Sequence, residues 1–454
     1  MKRPAIFLFL LLFFSLSVFA TPTPETSQRI TVLMGPSAPT PSGFILPDYA
    51  LAQFNKDFPN VEVVFNVTPT NVITEAMTTA LAANDAPNVY MDYIGRVSTY
   101  IVPEYALDLR GYVRDLHLYY EGMLDAFTRG DAVLGLPGLG GAQGMAVNMD
   151  IMKEIGFTPR ADWTIEDFLR MCELVKQKYS GEKWGTGMFA ANQSGDYLIN
   201  NWFAAVGAKF YAPGDYSRTT IATNGAKVYE LFQTMARQGY IRADAAVQTD
   251  DDYVLDWANG KLGATAFFPA WLPPYFGVIA EQGNVSAEHL ALLEKAKKAN
   301  PDMSFTNLYQ AGLVPYPFEV QFFPFPRTAG VDRVPTYTSI AAIVVHKTGT
   351  DADIWGARFA EYMNDGKSQS EQSSGGVLPN RRDAPMLSTD PLLLQVQSIL
   401  AKNGAVDQGG SAAFFNATRV LHYPVLQKVL DLKITPEAAI KEYESALNRV
   451  LSDY

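Results

Sequence analysis

Apolar residues in the first part of the chain follow two alternating spacings. Val61, Val63, Phe65 and Val67 alternate with mostly polar neighbours, which is typical of a strand with one buried face. Between such runs, apolar residues recur every three or four positions, as on one face of a helix. The pattern predicts, in order, a strand at 30–34, a helix at 48–57, a strand at 61–67, a helix at 73–81 and a strand at 88–93. Strands that alternate with helices favour a parallel sheet covered by helices.

A second α/β unit follows a segment, residues 131–148, in which several glycines interrupt a strand-like run. Thr164 begins a helix, because Asp167 lies three residues further on, at the capping-box spacing. The remaining pattern predicts a helix from Asn224, a strand at 264–268, a partly helical insertion at 280–320, strands at 322–326 and 338–346, and a last helix after Thr435-Pro436. The chain is therefore predicted to form two α/β lobes.

The amino terminus has the pattern of a secretory signal peptide. Lys2 and Arg3 precede an apolar stretch over residues 5–20 that ends in small residues. This stretch is shorter than the roughly 20 residues that a membrane-spanning helix needs. We expect cleavage after Ala20, a Pro/Thr-rich linker at 21–28 and export to the periplasm. No cysteine follows Ala20, so a lipoprotein anchor is not expected, and an uncleaved signal anchor is the alternative.

Composition narrows the class of protein. A length of 454 residues, at about 100–200 residues per domain, allows two to four domains. The 47 acidic and 36 basic residues, with a net charge of -11, argue against nucleic-acid binding, which needs a basic surface. The single cysteine excludes an intrachain disulfide framework and a cysteine-rich metal site. Cys172 falls in an apolar series at helical spacing, so we expect it to be buried.

Motifs of catalytic and cofactor sites are incomplete in this chain. A dinucleotide-binding pattern starting at Gly138 and Gly140 needs a third glycine where Gln143 stands. The four histidines have no second ligand at a zinc-binding spacing, and no Gly-x-Ser-x-Gly motif occurs. The acidic run 250–252 precedes a helix and fits helix capping better than metal binding. The sequence predicts no metal, no cofactor and no enzyme, although a glycosidase, which needs only two carboxylates, stays open.

Seven short segments, in this order, match motifs of one known family. They are Ile30-Thr31-Val32, residues 54–63, residues 88–92, Gly135-Leu136-Pro137 with residues 147–150, residues 163–168, Gly260-Lys261 with residues 264–271, and Gly376-Val377-Leu378-Pro379. Together they resemble the sugar-binding family of extracellular solute-binding proteins that serve ABC importers, the group of maltose-binding protein. The sequence departs from the family at Val147, where a tyrosine is usual, and in the proline-rich loop 35–43.

The resemblance implies a two-lobed periplasmic-binding-protein fold of type II, each lobe a mostly parallel sheet flanked by helices. It places 29–137 and 272–344 in lobe 1 and 138–271 and 345–454 in lobe 2. Hinge strands would cross between the lobes near 135–144, 267–271 and 344–347. The implied function is the substrate-binding component of an ABC importer, a monomer whose closed form is presented to the permease subunits.

The resemblance also implies which residues contact the ligand. A pyranose presents an apolar face to aromatic rings and a rim of hydroxyls to charged or amide groups. The residues expected at the ligand are Ser37, Thr40, Asp92, Tyr93, Arg96, Gln143, Asp196, Tyr197, Trp271, Arg381, Phe415 and Arg419. Trp271 is the expected stacking platform, with core packing as its alternative. Phe415 and Arg419 lie four residues apart, so on a helix they share a face.

Position in the predicted sheet supports Asp92, Tyr93 and Arg96. They follow the third strand at its carboxyl end, where open α/β sheets bind ligands. A strand-end cap is the alternative for Asp92, and a surface ion pair is the alternative for Arg96. The balance of acidic and basic candidates favours a neutral sugar; an acidic sugar or a polyol stays open. A secreted glycosidase or polysaccharide lyase is the alternative function.

Overall fold

The structure, a computed structural model, describes residues 28–35, 48–69, 72–120, 123–212, 215–373, 377–407, 409, 412 and 414–454. The predicted signal peptide, Ser37 and Thr40 lie outside the described residues. The strands are β1 (Gln28–Met34), β2 (Val61–Val67), β3 (Val89–Tyr93), β4 (Thr128–Arg129), β5 (Ala132–Val133), β6 (Leu136–Ala142), β7 (Gly144–Asn148), β8 (Tyr211–Ala212), β9 (Asp215–Thr219), β10 (Ala264–Phe267), β11 (Val320–Phe323) and β12 (Thr338–Val345).

Helices account for most of the remaining described residues. They are α1 (Asp48–Asp57), α2 (Ile73–Ala82), α3 (Ile94–Val97), α4 (Met149–Ile155), α5 (Ile165–Tyr179), α6 (Asp196–Ala205), α7 (Ala222–Gln238), α8 (Asp250–Ala258), α9 (Leu272–Glu281), α10 (Ala287–Ala299), α11 (Phe305–Gln310), α12 (Ala352–Met363), α13 (Gly366–Ser373), α14 (Pro391–Asn403), α15 (Phe415–Arg419), α16 (His422–Leu430) and α17 (Pro436–Leu451). The five elements predicted for the first part of the chain are confirmed as β1, α1, β2, α2 and β3. The capping box of Thr164 and Asp167 is confirmed at the start of α5.

The first sheet has the strand order β2-β1-β3-β12-β6. β1 runs parallel to β2 and β3, whereas β12 is antiparallel to both β3 and β6. Ile30, Val32, Val89 and Met91 are buried in the core on this sheet, which α12 covers. β12 runs against β3 because it enters this lobe from the other one. The α/β class is confirmed, and the sheet is mixed rather than mostly parallel.

The second sheet has the order β10-β7-β11, and both pairings are antiparallel. Its lobe contains the largest apolar cluster of the described residues, with Trp163, Trp202 and Trp257 fully buried. Cys172 belongs to this cluster, as predicted, and burial raises the pKa of its thiol. The expectation of a mostly parallel second sheet is wrong for the described strands, since β7 pairs with two strands that run against it.

Among the elements that the structure describes, three connections pass between the lobes. β6 ends in the first sheet at Ala142 and β7 begins in the second at Gly144, so Gln143 lies at the first crossing, within the predicted hinge 135–144. The second crossing joins β11 to β12. The third joins α13, which packs on β6, to α14, which packs on β11.

The other predicted hinges and the lobe boundaries need correction. The segment 267–271 leads from β10 into α9, whose apolar residues belong to the second-lobe cluster. The segment 344–347 ends β12 and leads to α12, which packs in the first lobe. Residues 272–334 therefore belong with the second lobe and α12 with the first. Helical spacing indicates that a helix has a buried face, but the sheet that buries it is decided by long-range packing.

Candidate ligand-binding site between the lobes

The first lobe contributes an ion pair at the carboxyl end of β3. Arg96 donates from Nε to Oδ2 of Asp92 over 2.8 Å and from Nη2 to Oδ1 over 2.7 Å. Asp92 also accepts a hydrogen bond from the Tyr93 backbone N–H at 2.7 Å, and only 3% of the residue is exposed. Asp92 thus caps the strand end, which was the alternative for this residue, and it neutralises Arg96 in a largely buried ion pair and not at the surface.

The second lobe contributes a matching pair. Arg419, at the end of α15, donates from Nε to Oδ2 of Asp196 over 2.5 Å and from Nη2 to Oδ1 over 3.1 Å. Asp196 begins α6, and its Oδ1 also accepts the backbone N–H of Tyr197. Burial disfavours the charged form of Arg419, but the adjacent Asp196 carboxylate outweighs it and raises the guanidinium pKa. Two residues far apart in the chain therefore form one buried ion pair.

Tyr93 joins the two ion pairs. The guanidinium carbons of Arg96 and Arg419 each lie 5.6 Å from the centroid of the Tyr93 ring. The Tyr93 hydroxyl is 2.5 Å from that of Tyr337, which lies in the second crossing. Burial raises the pKa of Tyr93 to about 12, with a smaller contribution from Asp196. Charges from both lobes and a residue of the hinge thus meet at one ring.

An aromatic cluster continues the site into the second lobe. Trp271 is half-buried and packs edge-on against Tyr197, with ring centroids 5.5 Å apart. The ring centroid of Phe268 lies 4.7 Å from that of Trp271 and 6.2 Å from that of Tyr337. The ring centroids of Tyr275 and Trp271 are 6.4 Å apart. Sequence reasoning missed Phe268, Tyr275 and Tyr337 as members of this cluster. Phe268 lies inside the matched segment 264–271 and Tyr275 follows it, but no motif marks Tyr337.

Gln143 at the first crossing is completely buried. Its Oε1 accepts a hydrogen bond from Nδ2 of Asn201 over 2.6 Å. Its Nε2 has no hydrogen-bond partner among the described residues, and neither has the hydroxyl of Tyr197. Leaving a buried donor unpaired costs about 1–3 kcal/mol. A molecule that reached these two atoms would find an unpaired amide donor and an unpaired hydroxyl beside the hinge.

Phe415 and Asn416 of α15 contact α3 of the first lobe. Phe415 is buried and packs on Gly95, and Asn416 Nδ2 donates to the Arg96 carbonyl at 3.0 Å and to Thr99 Oγ1 at 3.2 Å. These contacts hold the two lobes together directly. Phe415 therefore lies at an interlobe contact beside the ion pairs.

A small cavity of about 20 Å³ lies behind the ion pair of Asp196 and Arg419. Its walls include Asn200, Tyr443 and His422. The Nδ1 of His422 is 3.1 Å from the Arg419 carbonyl, and its Nε2 has no partner among the described residues. Burial lowers the pKa of His422 to about 4, although the charge of Asp196 favours the protonated form.

The predicted site residues thus fall into three groups. In the first group, each residue contacts another predicted site residue or the hinge. This group contains Asp92, Tyr93, Arg96, Gln143, Asp196, Tyr197, Trp271, Phe415 and Arg419. Arg381 instead pairs with Asp383 over 2.8 Å and lies over the ring of Tyr119, 5.2 Å from its centroid, in the first lobe. Ser37 and Thr40 lie outside the described residues. Within the described ranges, no group of three His, Cys, Asp or Glu side chains could hold a metal ion.

Comparison with known proteins identifies the family. A model of the family "Bacterial extracellular solute-binding protein" matches residues 38–369. Because the match spans most of the chain, this protein belongs to that family, and the prediction of a solute-binding protein is confirmed. No curated protein matched the sequence. In the portion of the chain that the structure describes, no helix has the length and apolar character needed to cross a bilayer.

Three solved structures illustrate the likeness in fold. An ABC substrate-binding protein from Listeria monocytogenes, in complex with cycloalternan, has a TM-score of 0.70 at 17% identity, over 94% of this chain and 99% of the other. The GacH receptor of Streptomyces glaucescens, solved unliganded and with acarbose, has a TM-score of 0.71 at 14% identity, over 95% of this chain and 100% of the other. The sugar-binding protein MalE of Xanthomonas citri has a TM-score of 0.66 at 14% identity, over 94% of this chain and 98% of the other. These likenesses confirm the two-lobed fold.

Proposed function

We propose that this protein is the substrate-binding component of an ABC importer and holds a carbohydrate between its lobes. The observation that carries the proposal is the position of Tyr93. Its ring meets guanidinium groups of both lobes, and its hydroxyl meets Tyr337 in a crossing segment. A molecule bound at this cluster contacts both lobes and the hinge together, so its binding energy stabilises the closed form.

The chemistry of the cluster suits a neutral sugar. Trp271, Phe268 and Tyr275 offer ring faces and edges for the apolar face of a pyranose. Each guanidinium is already paired with a carboxylate, so the two ion pairs add no net charge to the site. An acidic sugar would have to compete with Asp92 or Asp196 for its counter-charge. Cycloalternan and acarbose, named for two of the similar structures, are consistent with a carbohydrate ligand.

A thermal-shift panel tests the proposal. The mature chain is heated with mono-, di- and oligosaccharides, uronates and polyols, and a ligand that binds the native state alone raises the melting temperature. Trp271→Ala should fold but lose this stabilisation. Trp184→Ala removes an indole that stacks with Arg242, outside the cluster, and should retain it. Tight sugar binding by Trp271→Ala would contradict the assignment of the cleft.

The alternative of a secreted glycosidase or lyase predicts turnover. Asp92 and Asp196 are each held by two hydrogen bonds from an arginine, which suits a binding site better than a pair of catalytic carboxyls. Incubation with the sugars that bind, followed by chromatography, should return them unchanged. New reducing ends or unsaturated products would favour the enzyme.

The proposal includes export and assembly. The signal peptide is cleaved after Ala20, the mature protein is a periplasmic monomer without a lipid anchor, and its closed form docks on the permease subunits. Intact mass and light scattering of the exported protein check the cleavage site and the oligomeric state. A mass that retains residues 1–20 would favour an anchored receptor.

A further inference from the structure

The side chain of Asn201, on α6, joins the first two crossings between the lobes. Its Oδ1 accepts the backbone N–H of Tyr337 over 2.7 Å. Its Nδ2 donates to Oε1 of Gln143 over 2.6 Å and to the carbonyl of Tyr197 over 3.1 Å. Asn201 is fully buried. One amide therefore links the first crossing, the second crossing and the helix that carries Tyr197.

Two backbone groups determine which way this amide points. The Tyr337 N–H can only donate, so it must meet the oxygen of Asn201. The Tyr197 carbonyl can only accept, so it must meet the nitrogen. The orientation of an Asn amide follows from such partners, and here both partners require the same orientation. The Nδ2 of Asn201 must consequently face Gln143.

The orientation of Asn201 in turn determines that of Gln143. A donor from Asn201 requires Oε1 of Gln143 opposite it, which leaves the Gln143 Nε2 on the other side with two N–H groups. The Gln143 backbone cannot move away easily, because its N–H donates to the Tyr337 carbonyl and its carbonyl accepts the Thr336 hydroxyl. The Nε2 is buried and has no partner among the described residues.

We propose that Asn201 is a positioning residue that holds the Gln143 amide with its donor side toward the ligand. The site then requires an acceptor oxygen at that point, such as a hydroxyl, ring or glycosidic oxygen of a sugar. The inference rests on the proposed function, and it specifies that the ligand must place a hydrogen-bond acceptor opposite Nε2 of Gln143. Asn201 needs no contact with the ligand for this effect.

Asn201→Asp tests the idea because a carboxylate offers acceptors only. It can still accept the Tyr337 N–H, but it repels Oε1 of Gln143 and also the carbonyl of Tyr197, to which Nδ2 of Asn201 donates in the wild type. Gln143 then turns its Nε2 toward the carboxylate and its Oε1 toward the cleft. The polarity of the site is reversed while its shape is nearly kept. Asn284→Asp, which makes the same change at an exposed side chain paired only with Gln282, is the matched control.

The direct measurement is the side-chain amide resonance of Gln143 in the mature chain labelled with [¹⁵N]glutamine, assigned by its loss in Gln143→Glu. We expect its Hε2 protons to lack hydrogen-bonded shifts in the free wild type. In Asn201→Asp one proton should move downfield, because it bonds a carboxylate. Asn284→Asp should give the wild-type spectrum. A wild-type Hε2 already hydrogen-bonded to Asn201 would overturn the proposal without any need for a variant to fold.

Binding supplies the second measurement. Maltotriose, cellotriose and xylose are titrated in turn, and the sugar that binds wild type should shift the Gln143 resonance. Its affinity for Asn201→Asp should fall on the order of tenfold, while Asn284→Asp stays within twofold. An unchanged affinity for Asn201→Asp would overturn the proposal. If no carbohydrate of the thermal-shift panel binds wild type, the proposed function fails, while the spectra of the free protein still decide the orientation of Gln143.

Discussion

Phe415 of the second lobe packs so closely on Gly95 of the first that no Cβ atom fits at Gly95. A Cβ atom placed there would clash with the ring of Tyr93 and would lie 2.5 Å from Cε1 of the Phe415 ring. Real Cβ atoms do not approach carbon so closely, because dispersion attraction has become steep repulsion at that distance. The absence of a Cβ at Gly95 is thus a condition for α15 to reach α3.

Gly95→Ala should therefore hinder lobe closure. The methyl group displaces Phe415 and the ring of Tyr93, so the closed form loses stability relative to the open form, and sugar affinity should fall by about tenfold or more. Small-angle scattering with and without the bound sugar measures the closure. Gly111→Ala is the control, since a Cβ there meets no atom within 4 Å. Equal compaction of both variants would contradict this role of Gly95.

Asn416→Ala should weaken closure more mildly. It removes two hydrogen bonds to the first lobe, at the Arg96 carbonyl and at Thr99, each with a net contribution of about 0.5–1.5 kcal/mol. We expect a larger radius of gyration for the free protein and an affinity reduced by several-fold. Asn300→Ala, which loses a bond only within α10, should change neither quantity. A wild-type radius and affinity for Asn416→Ala would show that closure does not depend on these bonds.

Arg419→Met should destabilise the folded protein. It leaves the Asp196 carboxylate buried without its counter-charge, and breaking a buried pair in this way costs about 3–5 kcal/mol. Urea unfolding of the ligand-free protein measures the loss. Lys433→Met breaks the exposed pair with Asp431 and should cost less than about 1 kcal/mol. Comparable losses for the two variants would mean that the Arg419 pair is not buried in solution.

Stability should decrease between pH 6.5 and pH 4 because of His422. Its pKa is about 4 in the folded protein and near 6.5 when unfolded, so the unfolded chain binds more protons in this window. The free energy of unfolding should therefore fall as the pH drops, by up to about 3 kcal/mol, with no contribution from this group above pH 6.5.

Urea unfolding at a series of pH values tests this origin. His422→Gln should flatten the dependence in that window. His117→Gln, which replaces an exposed histidine of the first lobe, should leave it as in wild type. The same slope for His422→Gln and wild type would assign the dependence to other groups.

Local patterns were sufficient for most of the individual elements. The alternation at 61–67 is β2, the helix at 48–57 is α1, and Thr164 caps α5 through Asp167, because each depends on residues within a few positions of one another. Most residues predicted from the family motifs, including Trp271 and Arg419, lie in the cluster between the lobes. Tyr337 and Asn201 were missed because they reach the site through distant partners, Tyr93 and Gln143. Phe268 and Tyr275 were missed although both contact Trp271 from nearby in the chain.

The sequence by itself determined the succession of strands and helices, the buried lone cysteine and the family. Only the tertiary structure decided which lobe holds α9 and α12, which carboxylate neutralises Arg419, and which way the amide of Gln143 faces. The physical reason is the separation along the chain between the residues that interact. Periodicity and capping act within a few residues, whereas the bonds from Arg419 to Asp196, from Tyr93 to Tyr337 and from Asn201 to Gln143 join residues that only the packing of both lobes brings together.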